Sequence, residues 1–156
     1  MKYTPDIIRI SEKPELFQTA AQWFHEIWKV PQQAYLDSMI NSLQMSGVPE
    51  WYVCLDDNDK IIAGLGVIEN DFHKRPDLTP NICAVYVTEE YRKQGVARKM
   101  MDNACDELAK HGITDVYLIT SHTDFYERCG WIFYGTIEEN DGNFARMYQH
   151  KQPAGL

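Results

Sequence analysis

Residues 82 to 120 constrain the fold more than any other part of the chain. Ile82-Cys83-Ala84-Val85-Tyr86-Val87 is an unbroken apolar, β-prone run, the pattern of a strand covered on both faces. From Gly95 to Lys110 the apolar positions Ala97, Met100, Met101, Ala104, Cys105 and Leu108 recur every three or four residues, which predicts a helix with one buried stripe. Gly112 is its stop signal, and Val116-Tyr117-Leu118-Ile119-Thr120 reads as a second strand. Strand, helix and strand in succession form a βαβ unit, so the two strands lie parallel and are joined right-handedly.

The flanking segments add antiparallel structure to that unit. Residues 6–10 alternate weakly as a strand. Ser11 then caps, and Pro14 opens, a helix over residues 15–28 whose stripe is Leu16, Phe17, Ala20, Ala21, Phe24, Ile27 and Trp28. Pro31 ends it. A second helix over residues 32–45 sets Leu36, Met39, Ile40 and Leu43 on one face and closes at Ser46-Gly47. Residues 51–55 and 61–68 are apolar runs joined by Asp56-Asp57-Asn58-Asp59, which reads as a hairpin, and residues 71–80 form a loop rich in Pro and Asp. A short helix over 123–128 leads through Gly130 into a strand at 131–134. After Asn140-Asp141-Gly142-Asn143 the last strand covers 144–148. A length of 156 residues and a hydrophobic fraction of 44% suit one core. The expectation is a single α/β domain over residues 1–150 and a frayed tail over 151–156.

Charge and cysteines narrow the partners. A net charge of −8 repels nucleic acid and anionic membrane surfaces and draws cations. The most apolar run, residues 61–68, is broken by Gly64 and Gly66 and falls far short of the ~20 residues of a membrane span. Residues 1–6 are polar, without the hydrophobic stretch of a signal peptide. Cys54, Cys83, Cys105 and Cys129 form no CxxC and have no His at a ligand offset, so no metal is expected. They read as buried free thiols of a cytoplasmic protein.

The pattern that carries chemistry opens the central helix: Arg92-Lys93-Gln94-Gly95-Val96-Ala97-Arg98. Backbone N–H groups in the first turn of a helix lack partners within it, and the helix dipole adds partial positive charge. Arg92, Lys93, Arg98 and Lys99 add full charges. Gly95 and Ala97 are small where a pyrophosphate must approach the backbone. The arrangement predicts a phosphate guest. The alternative, a basic helix end with a solvated face, leaves four cations beside a positive dipole end with nothing to offset them. A nucleoside triphosphate is disfavoured because no GKS or GKT is present.

Arg92-x-x-Gly95-x-Ala97 resembles the acetyl-CoA motif of the GCN5-related N-acetyltransferase (GNAT) superfamily: Arg or Gln, two residues, Gly, one residue, then Gly or Ala. It stands where that family carries it, after Ala84-Val85-Tyr86-Val87-Thr88-Glu89-Glu90-Tyr91 and before a long helix and a parallel strand. A second landmark, an aromatic-Tyr pair followed by Gly-aromatic, is reproduced by Phe125-Tyr126-Glu127-Arg128-Cys129-Gly130-Trp131. The resemblance covers residues 81–135 and matches the order of elements elsewhere. It implies the acyl-CoA N-acyltransferase fold, a mostly antiparallel mixed α/β sheet with one splayed parallel strand pair and flanking helices. It also implies site roles. The backbone of Val85, Tyr86 and Val87 pairs with the pantetheine arm as an added strand; Arg92, Lys93, Gln94, Gly95, Val96, Ala97 and Arg98 hold the pyrophosphate; and Tyr126 faces the sulfur. Acetyl-CoA is then a co-substrate, no metal is implied, and a homodimer is compatible. One departure stands out: many members carry an Asn and an Ala ahead of the short helix, where this chain has Ser121-His122-Thr123-Asp124.

The activity that the resemblance implies needs a deprotonated amine, a polarised thioester carbonyl and a proton for the departing thiolate. A backbone N–H within residues 85–87 suits the carbonyl. Tyr126 suits the thiolate, since an ordinary phenol near ~10 stays protonated at neutrality. Glu69, Asp71, His73, His122 or a water remain open as the base, and Trp28 or Tyr35 as walls of the acceptor site. The acceptor is an amine on a small molecule or a peptide N-terminus. The other reading is a non-catalytic acyl-CoA-binding or sensor module of the same fold, against which the presence of Tyr126 argues.

Overall fold

The computed structural model describes residues 6–153. Seven strands form one sheet: β1 (Ile7–Arg9), β2 (Glu50–Leu55), β3 (Ile61–Ile68), β4 (Asn81–Val87), β5 (Asp115–Thr120), β6 (Ile132–Glu138) and β7 (Phe144–Lys151). Their order across the sheet is β1-β2-β3-β4-β5-β7-β6. Every neighbouring pair is antiparallel except β4 and β5. The fold is therefore the expected mixed α/β architecture, with one parallel pair set into an antiparallel sheet.

Alternation along β2 and β3 sorts side chains between two helical layers. Tyr52, Cys54, Leu65 and Val67 join one core cluster beneath α3 (Val96–Lys110), together with Met100, Met101, Ala104, Cys105 and Leu108. Trp51 and Val53 face the other way, against Phe17, Ala20, Ala21 and Phe24 of α1 (Phe17–Trp28) and Tyr35 and Met39 of α2 (Gln32–Asn41). The aromatic layer lies close to the sheet because β3 presents glycines there. A Cβ on Gly64 would come within 2.7 Å of the Phe24 ring, and one on Gly66 within 2.4 Å of the Trp51 ring. Phe24 and Tyr35 then stack and Trp51 meets both edge-on, with ring centroids 4.9–5.5 Å apart. This wall later bounds the site.

Several local expectations are corrected. Ser11 does not cap a helix: residues 10–12 and 14–16 form 3-10 turns, and Ser11 is buried with its hydroxyl donating to Glu50 at 2.6 Å. Glu50 is itself buried and also accepts from the Ser11 and Trp51 N–H groups, so the hydroxyl serves a buried carboxylate rather than a helix end. In α2 the buried face is Tyr35 and Met39, while Ile40 and Leu43 are exposed, and a 3-10 turn replaces the helix after Asn41. At the head of α3, Val96 is the buried residue and Ala97 is only half-buried. The last strand runs to Lys151, opposite Asp115, and the Gln152 N–H donates to Thr114. The tail therefore begins beyond the expected residue 151, and residues 154–156 of it lie outside the described residues, as do residues 1–5. All four cysteines are buried and free.

Gly66→Ala tests the close approach of Trp51. The buried ring has to move for the added methyl, an overpacking that costs about 1–3 kcal/mol, so the urea midpoint should fall with an unchanged m-value. An unchanged midpoint would show that the ring yields freely.

Candidate active site

β4 and β5 touch at one register position, Asn81 opposite Tyr117, with the Tyr117 N–H donating to Pro80 at 3.0 Å. Beyond that point they diverge. The neighbouring β3–β4 ladder slips here as well: Gly64 opposes Tyr86 and Gly66 opposes Cys83, leaving Ala84 and Val85 opposite Leu65 alone. Ala84 adopts φ +54, a left-handed conformation unusual for a non-glycine residue. Such a bulge takes one residue out of the ladder, and here Ala84 and Val85 line the space that opens between the strands. A cavity of about 530 Å³ occupies the gap and its mouth. Ala84, Val85, Leu118 and Thr120 line it on the sheet side, and Trp28, Tyr35 and Trp51 bring the aromatic wall to the other.

The basic turn lies beside the gap. Gly95 precedes α3 at φ +80 and Lys93 has φ +62. No side chain caps the helix, so the first-turn N–H groups face outward. A Cβ built on Gly95 meets no atom within 4 Å; the space at the helix head is open. Arg92 is anchored, its Nε donating to the Val87 carbonyl at 2.7 Å and its guanidinium 5.2 Å from the Tyr86 ring centroid. The Val87 carbonyl is thus already engaged. Tyr86 turns toward Trp23 and Trp28, and of the three strand residues expected to meet pantetheine, Val85 lines the cavity. Arg98 donates to the Arg128 carbonyl at 3.2 Å, which ties the basic turn to the short helix α4 (Phe125–Arg128). Open backbone donors, surrounding cations and a glycine without neighbours fit a pyrophosphate.

Tyr126 sits in α4, buried, and lines the same cavity. Burial pushes its phenol up to about 12, Cys129 adds to the rise, and a hydrogen bond with the Thr120 side chain opposes it. The O–H is therefore retained across the neutral range. Tyr148 steadies the approach to α4, its hydroxyl donating to the Thr123 carbonyl at 2.8 Å with Glu127 as an alternative acceptor at 3.1 Å.

The open candidates for the base separate by geometry. Glu69 is exposed and lines neither this cavity nor the one beside it. His73 is buried with both ring nitrogens engaged: Nδ1 accepts from the Arg75 N–H at 3.1 Å, so Nε2 carries the proton that it donates to Asn81 at 2.7 Å. His122 lines the cavity from the turn after β5. Asp71 lines both this cavity and the adjoining one of about 560 Å³, and burial first and Glu139 second raise its carboxyl to about 6. Cys83 also lines the first cavity, and burial holds its thiol well above the ordinary range. The buried Asn81 side chain, absent from the sequence reading, is the hub: it accepts from Asp71 N–H and His73 and donates to the Leu78 carbonyl. Among the described residues, no cluster of three His, Cys, Asp or Glu is disposed to hold a metal, and no helix is long and apolar enough to cross a membrane.

Residues 14–131 match the family model for the Acetyltransferase (GNAT) family. N-alpha-acetyltransferase 30 of Schizosaccharomyces pombe is 31% identical over 91 residues, 55% of this chain and 60% of that protein. The chain thus spans less than two thirds of the length of this relative. Among solved structures, an aminoglycoside 6'-N-acetyltransferase complexed with coenzyme A has a TM-score of 0.70 at 14% identity, over 97% of this chain and 99% of that one. A spermidine N-acetyltransferase from Vibrio cholerae has a TM-score of 0.64 at 12% identity, over 96% and 95%. At such identities the likeness establishes the fold.

Gly95→Glu tests the phosphate reading. A ligand that binds only the folded state stabilises it by about 2.7 kcal/mol at a hundred times its Kd, and acetyl-CoA should raise the melting temperature of the parent accordingly. In Gly95→Glu the shift should vanish. Gly95→Ala carries comparable backbone strain without the charge and should keep part of it. An undiminished shift in the Glu variant would exclude the turn as the site.

Proposed function

The chain belongs to the Acetyltransferase (GNAT) family, and from that premise we propose that it is an acetyl-CoA-dependent N-acetyltransferase that moves the acetyl group to a primary amine by direct attack, with Tyr126 as general acid. The observation that carries this reading is the single cavity bordered by the bulged strand, the Tyr126 phenol and the aromatic wall. Arg92, Lys93, Gln94, Gly95, Val96, Ala97 and Arg98 hold the pyrophosphate, and the pantetheine arm lies along Val85, Tyr86 and Val87 as an edge strand would. The thioester carbonyl then meets the backbone donor released by the bulge at Ala84 and Val85, an oxyanion site fixed before the reaction starts. Attack by the amine forms the C–N bond, and collapse of the tetrahedral intermediate breaks the C–S bond.

Tyr126 donates as charge develops on sulfur. A phenol raised to about 12 gives its proton uphill to a thiolate whose conjugate acid lies near ~8.5. Its contribution is therefore the hydrogen bond that strengthens as the C–S bond lengthens, with the transfer completed through solvent. The acceptor is an amine on a small molecule or a peptide N-terminus. The names of the relatives support both classes, an aminoglycoside and spermidine on one side and a protein α-amine on the other. The proposed setting is a single-domain enzyme of the cytoplasm, free or as a homodimer.

Tyr126→Phe keeps the ring and removes the donor. The chemical step should slow by about 10²-fold or more while the thermal shift with acetyl-CoA is kept. A single-turnover rate within twofold of the parent would place the acid elsewhere. Acetyl-CoA binding without thiol release, across a panel of primary amines, would instead favour a binding module.

A further inference from the structure

The acceptor side of the cavity carries an assignment that rests on the reading above. We propose that Asp71 is the catalytic residue that receives the acceptor's primary amine, binding its ammonium form and taking the proton that the nitrogen sheds on attack, with Asn81 as its positioning residue.

Place is the first support. Asp71 stands where the two cavities adjoin, and among the residues lining the first it is the one carboxylate. Tyr126, on the opposite side of the thioester in the proposed pose, lines that cavity too.

Isolation is the second. Among the described residues no hydrogen bond or salt bridge reaches the Asp71 carboxylate, although the residue is half-buried and burial raises its carboxyl to about 6. A carboxylate partly shielded from water without a partner is unfavourable, and a cation supplied by the substrate offsets that cost. The groups around it leave the role vacant. Tyr35 from α2 and Cys83 from β4 are neutral at pH 7, both raised by burial. Glu139, after β6, is a like charge that reinforces attraction for a cation. Arg146 from β7 also lines the adjoining cavity, but its guanidinium is engaged elsewhere, 3.8 Å from Glu127, donating to the Tyr148 hydroxyl and 4.2 Å from the Phe133 ring centroid. His122 borders the cavity from the turn after β5.

The third support is how firmly the loop is held. The Asp71 N–H donates to Asn81 Oδ1 at 2.9 Å. The next residue, Phe72, is at φ +61 with its carbonyl taken by the Asn140 N–H at 2.9 Å. Asn70 clasps the His73 backbone through both its N–H and its carbonyl, at 2.9 and 3.0 Å. Asn81 is also the residue at which β4 and β5 meet. One side chain thus ties the Asp71 backbone to the point where β4 and β5 meet. Trp28, Tyr35 and Phe72 line the same space, and aromatic rings suit an ammonium as well.

The neutral amine attacks the carbonyl carbon and its nitrogen becomes cationic; that proton passes to the Asp71 carboxylate; the C–S bond breaks with its electron pair on sulfur. Sulfur, held by the Tyr126 hydrogen bond, takes its proton through solvent, and the proton on Asp71 passes to solvent in turn. An acceptor that arrives as ammonium releases one further proton to solvent. The products are the acetamide and free CoA thiol.

The test is the pH profile of kcat/KM for a simple primary amine such as benzylamine or 1,4-diaminobutane, followed by thiol release, in the parent, Asp71→Asn, Asp71→Glu and His122→Gln. The parent should show an acid limb near pH 6, with Asp71 required ionised. Asp71→Asn should lose that limb and fall 10²–10³-fold, with an unchanged thermal shift on acetyl-CoA; Asp71→Glu should keep the limb at a lower kcat. Melting supplies a readout independent of turnover. The folded state holds this proton more tightly than the unfolded chain, so ionisation costs stability as pH rises through 6. Asp71→Asn should therefore melt above the parent at pH 8, and the difference should close toward pH 4. A retained limb in Asp71→Asn, or its loss in His122→Gln instead, overturns the assignment while leaving the transferase reading intact. A parent inert toward every amine overturns both.

Discussion

The contact between Asn81 and Tyr117 is the constraint on which the site depends. Parallel neighbours normally run side by side for several residues, each backbone group finding its partner across the ladder. Here pairing occurs at one end only, and a bulge at Ala84 and Val85 turns the longer strand away at the place where pairing would have resumed. A sheet opened in this way presents unpaired backbone to an aqueous wedge, which is unfavourable unless something fills it. An extended ligand with alternating amide donors and acceptors fills it as a strand would. In the proposed reading the basic head of α3 adds an anchor for a ligand whose far end carries phosphate.

Much of this was legible along the chain because it is local. The apolar strand, the helix stripe and the Arg92-x-x-Gly95-x-Ala97 turn are each contained in a few consecutive residues, and backbone demands such as φ +80 at Gly95 select a recognisable residue type. The bulge left no such mark, for Ala84 adopts its left-handed conformation without being glycine. Nor did the Asn81 hub, whose partners Asp71, His73 and Leu78 come together only when the loop folds back on its strand. Ser11 was misread for the same reason: its hydroxyl suits a helix cap locally, but a buried Glu50 distant in sequence competes for it. The second helix erred in another way. Its stripe was assigned as though one face were wholly buried, whereas the layer above β2 needs only Tyr35 and Met39 there and leaves Ile40 and Leu43 in solvent.

Charge is segregated along the chain. Arg92, Lys93, Arg98 and Lys99 gather at the head of α3, whereas Asp71 lines the main cavity and, with Glu139 and Arg146, the adjoining one. The chain's net −8 thus conceals a local reversal of sign. A bisubstrate site gains from this separation, because an anionic donor and a cationic acceptor are each drawn to a different edge and neither competes for the other's position.

The Cys83 thiol bears on a hazard peculiar to thioester chemistry. Sulfur nucleophiles exchange readily with thioesters, and a thiolate beside the reacting carbonyl would take the acyl group onto the protein itself. Only the thiolate is competent in that exchange. By burying Cys83 against the aromatic layer, the fold holds the thiol far above its ordinary range of ionisation and withholds the competing nucleophile. The packing that builds the core thus also keeps this cavity-lining thiol protonated at neutrality.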